Sequence, residues 1–222
     1  MSPLALLLAL AAAAPPPGEG RVVEEVVAVI RPAGGEARVV TLTKLTEEAR
    51  IVLVSRGATE AALRPLDAPA LRATLDWYVD QVLLSEEAAR LGVFEVDPAE
   101  GRAELERFKR RFGRPEDYAA FLAGNGISEE DVLAALRRMQ RVQRYLDRRM
   151  ATSARARVTD AEVEAAWKER QAELGGAPLS QVRDALRARL AEERVRAEVK
   201  SLLADLRRRG EVRVLVELGA GE

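Results

Sequence analysis

The side chains of this sequence that could move a proton or hold an anion are carboxylates and guanidiniums. Adjacent acids stand at Glu47-Glu48 and Glu192-Glu193. Such pairs are ordinary on exposed helices and acquire a catalytic meaning only inside a cleft that perturbs them. Arg137, Arg141, Arg144 and Arg148 recur at +4, +3 and +4, a spacing that would build a phosphate-binding ridge along one helix face. The same helix opens with Glu129, Glu130 and Asp131 and gathers its arginines towards its end, which is what the helix dipole favours. A solvated face is therefore the expectation for that stripe. Arginine outnumbers lysine 31 to 4, so an arginine in this chain carries less functional information than usual.

Other chemistry is absent by composition. The 222 residues include no cysteine and no histidine. That removes disulfides, thiolate nucleophiles, a lipid-bearing cysteine, imidazole bases, Ser-His-Asp triads and ordinary transition-metal sites. No G-x-x-x-x-G-K-[ST], strand-borne G-x-G-x-x-G or G-x-S-x-G motif is present. A net charge of −1 argues against nucleic acid as a partner, because that function needs a marked basic excess. The composition points to no cofactor and, unless a cleft with paired, desolvated acids exists, to no enzyme. Apolar residues make up 48% of the chain, enough for a substantial core.

The apolar side chains give candidates of a different kind. Trp77, Phe108, Phe112, Tyr118 and Phe121 belong to the seven of nine aromatics that lie between Trp77 and Phe121. They form either the core of a helical region, the commoner outcome, or the lining of an apolar recess. A helix starting after Asp67 is apolar on two sides, with Leu71, Leu75, Tyr78 and Val82 on one and Trp77, Leu84, Ala88 and Leu91 on the other. That pattern describes a central helix surrounded by protein, or one whose second side faces a ligand. The last helix repeats the oddity along its length. Val182, Leu186 and Leu190 mark one face of its first half, and Val195, Val199, Leu202 and Leu206 mark nearly the opposite face of its second. Such a helix bridges two lobes, or leaves one half open as a groove or a homodimer seam. The first half is the expected open part, rimmed by Arg183, Arg187 and Glu193, because its stripe is not continued.

These candidates depend on the following elements. Residues 1–14 read as a signal peptide, with Leu4 to Ala14 an unbroken apolar run of 11 residues, too short to span a bilayer. The chain is thus expected to be periplasmic or otherwise exported, to begin near Ala14 or Pro15 once processed, and to have no integral membrane span. Residues 15–21 form a Pro/Gly linker. Residues 22–43 form a β-hairpin about the turn Pro32-Ala33-Gly34-Gly35, and Thr43 is placed to cap the next helix. A helical region covers residues 44–174, with caps at Asp67, Asp97, Ser128 and Thr159 and stops at Gly92, Gly113 and Gly124-Asn125-Gly126. A long C-terminal helix and a closing strand, Val212 to Leu218, fill residues 175–218. A lone hairpin is marginal, so the closing strand is expected to join it in one small sheet. No internal repeat is evident.

The order of these parts resembles a known family. Val22 to Ile30 just after a signal peptide, Val39-Val40-Thr41-Leu42-Thr43 leading into a helix, Leu71 to Val93 with its closing Leu91-Gly92-Val93, Gly126 to Asp131, and Val158 to Val163 are similar to the N-terminal chaperone region of SurA-like periplasmic proteins, relatives of the parvulin prolyl isomerases. The similarity covers roughly residues 20 to 218 and lies in order and spacing. Two departures stand out. The hairpin carries Arg31-Pro32 and a longer Gly-rich turn, and only Gly175-Gly176-Ala177-Pro178 fills the place where the family usually inserts parvulin domains. The parvulin active site uses histidines, which this chain lacks. The resemblance implies a mainly α fold with a small antiparallel sheet made from the N-terminal hairpin and a C-terminal strand. It also implies a chaperone that holds unfolded or extended outer-membrane or secreted polypeptides through apolar clefts. The two departures imply that it lacks isomerase activity, and Val182, Leu186, Leu190 and the five aromatics found above from their apolar pattern are the candidate contacts. The alternative is a structural or assembly subunit that binds one fixed partner through the same helices.

Overall fold

The computed structural model describes residues 24–92, 94–152, 158–216 and 218. The expected signal peptide, linker and first hairpin residues up to Val23 lie outside these residues. The chain builds β1 (Val26–Arg31), β2 (Arg38–Thr41), α1 (Leu42–Ser55), a one-turn α2 (Thr59–Ala62), α3 (Ala68–Arg90), α4 (Pro98–Lys109), α5 (Pro115–Asn125), α6 (Glu129–Thr152), α7 (Asp160–Glu169), α8 (Leu179–Arg209) and β3 (Glu211–Val214). It is a mainly α protein with one three-stranded antiparallel sheet.

The sheet joins the two ends of the chain. Its order is β2-β1-β3, with Ala28 opposite Val40 and Val214, and Ile30 opposite Arg38 and Val212. β1 is the central strand because Val27, Ala28 and Ile30 are wholly buried, which a β-branched run between two neighbours permits. Gly35 N–H donates to Pro32 carbonyl at 3.0 Å, closing the expected turn. β3 is shorter than Val212 to Leu218. Pairing ends near Leu215, whose N–H donates to Val27 carbonyl at 2.9 Å, and Leu218 returns to the core. Gly210, between α8 and β3, has a structural reason to be glycine. A Cβ there would sit 2.9 Å from the Arg31 carbonyl oxygen, closer than packing allows.

Most helix boundaries follow the local chemistry of the sequence. The Asp67 and Asp97 side chains accept from Ala70 N–H at 2.8 Å and Ala99 N–H at 2.7 Å, and Thr159 and Glu162 form a reciprocal capping box. Gly126 leaves α5 in the left-handed region. The cap of α1 is a correction: Thr41, not Thr43, accepts from Lys44 N–H. β2 runs into the helix without a loop, so the cap falls two residues earlier. Thr43 N–H instead donates to the Glu24 carboxylate at 3.2 Å.

Two apolar clusters hold the body together. One packs the inner face of the sheet against α3 and the last turns of α8, with Val79, Val82, Leu83, Leu202 and Leu206 at its centre. The other joins α1, α4, α5 and α6 around Ile51, Val54, Phe108, Phe121 and Leu136. α3 is thus the central helix, buried on several sides at Leu75, Tyr78, Val82, Leu84 and Ala88. The arginine stripe of α6 is a second correction. Arg141 donates to Ser85 Oγ of α3 at 3.4 Å, and Arg144 donates to Glu95 carbonyl at 2.9 Å and to Glu100. Arg137 lies so close to Gly101 of α4 that a Cβ there would meet its Nε at 2.7 Å. The stripe borders the apolar face of α6, so α3 and α4 lie along it and convert two of its cations, Arg141 and Arg144, into ties to neighbouring segments.

α7 folds back along the first half of α8. Trp167 Nε1–H donates to Ala177 carbonyl at 2.9 Å, and Val163, Ala166 and Leu186 are buried where the two helices meet. Arg183 and Arg187 pair with Asp160, Arg194 with Glu162, and Glu193 with Arg170.

Candidate functional site

The aromatic candidates from α4, α5 and the turn between them form a closed core. Phe108, Phe112, Tyr118 and Phe121 meet with ring centroids 5.0 to 6.3 Å apart. Phe108 and Phe121 are each 1% exposed, so this group lines no recess. Burial pushes the Tyr118 phenol up to about 12, and the nearby Glu129 carboxylate adds to the shift. Trp77, on α3, is half-buried beside the sheet cluster.

The first half of α8 is also covered, contrary to expectation. Leu186 is 3% exposed, and Val182 and Leu190 are half-buried. The arginines expected to rim an open stripe instead clamp α7 through Asp160. An apolar stripe with a helix of complementary charge lying on it is an interface already filled.

An apolar groove lies farther along the same helix. Val195, Val199, Leu203 and Ala204 of α8 form the floor of a groove of about 480 Å³, bounded by Asp80 of α3 and by Arg196, Lys200 and Arg207. Val195 and Val199 continue the face that carries Leu202 and Leu206 into the core. From Leu202 back to Val195 is seven residues of helix, about 10 Å at the α-helical rise. Over that stretch the face has passed the edge of the body and carries no buried residue. One end of the groove is closed by a bidentate pair. Arg207 Nε and Nη2 donate to Asp80 Oδ1 at 2.9 and 2.7 Å, and Nη2 also reaches Asp76 carbonyl at 3.3 Å. Burial raises the Asp80 carboxyl above its ordinary range, against the opposing pull of Arg207.

A depression of about 500 Å³ on the other flank of α8 has a different character. Arg149, Arg194, Glu198, Asp205 and Arg208 dominate its lining, so it offers salt links where the α3–α8 groove offers apolar contact.

Among the described residues, acids meet at their most deeply buried between α1 and α6. Glu48 is 1% exposed and pairs with Arg138, whose guanidinium lies 4.9 Å from the centre of the Tyr78 ring. Lys44 Nζ stands 3.0 Å from Glu47, 3.3 Å from Asp131 and 3.8 Å from Glu48. Burial alone would lower the Lys44 pKa. The hydrogen bond to Glu47 and the fields of Glu48, Glu47 and Asp131 outweigh it and hold the ammonium above 10.5. Bonds from Ser128 hold Asp131 below its usual range. A cation held protonated and an acid held ionised do not exchange a proton at neutral pH. This cluster reads as a structural tie. The other adjacent pair, Glu192 and Glu193, is likewise engaged with arginines.

No family model matches the chain, and no curated protein sequence matches it. Among the described residues, no helix is long and apolar enough to cross a membrane. The α3–α8 groove is therefore the candidate site on its own geometry. Sequence reading found Val195 and Val199 of its floor but not Leu203 or Ala204, and it assigned the open half of α8 to the other end. The signal it passed over is the row Arg196, Lys200, Arg207, at +4 and +7 beside that floor.

Proposed function

We propose that the protein is an exported, non-catalytic holdase that binds unfolded outer-membrane or secreted polypeptides in the α3–α8 groove. The observation that carries the proposal is the apolar groove in which the half-buried Val195, Val199 and Leu203 continue a core face, bordered by cations. A contiguous apolar surface with a charged rim suits adaptable contact with many extended chains. The order of parts shared with SurA-like proteins supports this reading, and the apolar run Leu4 to Ala14 supports export. Prolyl isomerisation is not part of the proposal, because the chain has no histidine with which to build a parvulin-type site.

The test is suppression of aggregation of an unfolded outer-membrane protein by the full chain and by the variant Val195→Ser/Val199→Ser/Leu203→Ser. Val195 and Val199 lie outside the core clusters and Leu203 packs partly against one, so circular dichroism checks that the variant keeps its fold. Loss of holdase activity with the fold intact supports the groove. Undiminished activity overturns it. A panel of unrelated unfolded clients addresses the alternative role, since a subunit built for one fixed partner would bind none of them well.

A further inference from the structure

We infer that the α3–α8 groove selects client segments whose apolar residues are interspersed with aspartate or glutamate. The inference rests on the holdase reading and specifies its substrate class. The lining carries three cations, Arg196, Lys200 and Arg207, and a single acid, Asp80. Asp80 is engaged by Arg207 through two hydrogen bonds to one oxygen, so its charge is largely answered from within the protein. Arg196 meets only Glu192, one turn back on its own helix, at 3.1 Å, with both side chains mostly exposed. An exposed pair of that kind is weak and readily exchanged.

Lys200 is the decisive residue. The chain has four lysines. Lys44 is paired with Glu47, Lys109 with Glu106 and Glu129, and Lys168 with Glu164. Of these lysines, Lys200 is the one with no carboxylate within ion-pair distance among the described residues, and it stands on the edge of the apolar groove. The net charge of the chain is −1, so this positive rim is a local feature.

The same rim argues against a second copy as the occupant. Two α8 helices seated stripe to stripe would bring the Arg196 and Lys200 rows of both chains together, and like charges across an interface are unfavourable. An apolar segment carrying acids meets both requirements of the groove. Its aliphatic or aromatic side chains cover Val195, Val199 and Leu203, and its carboxylates reach Lys200 and Arg196 at the rim.

The experiment uses the full chain and three fluorescent peptides of identical apolar sequence, with glutamate, serine or lysine at the intervening positions. Anisotropy is read at low salt and at 0.5 M salt, a concentration chosen to shorten the screening length to about 4 Å. Two exposed charge contacts should favour the glutamate peptide over the serine peptide by roughly threefold to tenfold at low salt, with the lysine peptide weakest and the spread collapsing at high salt. Arg196→Glu/Lys200→Glu, both surface changes, should invert the order and leave thermal unfolding unchanged. Equal affinity for all three peptides at low salt overturns the charge selection while leaving the groove reading intact. No binding of any peptide, or undiminished binding by the triple serine variant, overturns the groove itself. Concentration-dependent dimerisation abolished by Val199→Ser would assign the surface to a second copy and overturn the inference.

Discussion

Replacing Glu48 with alanine should destabilise the protein more than a change at almost any exposed position, and the structure sets the size. The carboxylate is 1% exposed and holds Arg138, whose side chain is 12% exposed. Removing it leaves the largely buried guanidinium against the Tyr78 ring without its carboxylate, and its Nε already lacks an acceptor. Breaking a buried pair from one side costs about 3–5 kcal/mol. The lower end, about 3 kcal/mol, applies because Arg138 keeps some access to water. Lys44 adds little to the loss, since Glu47 and Asp131 still hold it at 3.0 and 3.3 Å. For a domain of this size 1 kcal/mol moves Tm by about 2–4 °C, so Glu48→Ala should lower Tm by roughly 6–12 °C in a calorimetric scan at neutral pH. The double variant Glu48→Leu/Arg138→Met removes both charges and should recover most of the loss. A fall in Tm of less than about 2 °C for the single variant, or a double variant no better than the single, would refute the account of Glu48 as a buried tie between α1 and α6.

Ending the chain at Gly210 should destabilise the whole domain, because it removes β3 from the edge of β1 together with Leu218 from the main core; unchanged thermal unfolding would deny the strand its role. Glu162 is held at about 2, first by the Thr159 N–H, then by the Thr159 hydroxyl and Arg194. A depressed carboxyl stabilises the fold above its ordinary pKa of 4.5 and loses that contribution as pH falls from there towards about 2. The α7 capping box should therefore loosen over that window, seen as a Glu162 NMR titration midpoint that Thr159→Ala moves back towards 4.5. Tyr118 should ionise well above the ordinary tyrosine range, with an absorbance component near 12 that Tyr118→Phe abolishes.

How far the fold could be read beforehand depended on the range of the interactions involved. Caps and stops act within four residues, so Asp67, Asp97, Thr159 and Gly126 declare themselves in sequence. The Asp67 helix runs the 23 residues up to Arg90, whereas α4 already stops at Lys109, short of Gly113. The pairing of β3 with β1 was also accessible, since a two-stranded ribbon needs a third strand and only one other β-branched run was free. Partner choice was not accessible. Nothing local distinguishes the arginines of α6 from a solvated row. Arg141 and Arg144 become inter-helix ties only because α3 and α4 lie along that flank. The misplaced α1 cap has a simpler origin: two threonines stood two residues apart, and the loop assumed between strand and helix does not exist.

The site shows the same limit in a sharper form. Angular position on α8 separates Val182, Leu186 and Leu190 from Val195, Val199, Leu202 and Leu206, and that separation is real. It cannot say which residues of the second set have a neighbour, because that depends on where the body ends along the helix axis. α7 reaches α8 over its first half, and the sheet cluster takes Leu202 and Leu206 near its end. Between those two supports the helix continues with an apolar face and nothing buried on it. The groove therefore arises from a mismatch of lengths: 31 residues of helix, about 46 Å at the α-helical rise, span a gap that its two supports do not fill. Shortening α8 between Val195 and Leu202 would close the gap, but it would also rotate α7 away from its place. The length of α8 and the openness of the groove are thus one structural property, and the unpaired Lys200 stands at its edge.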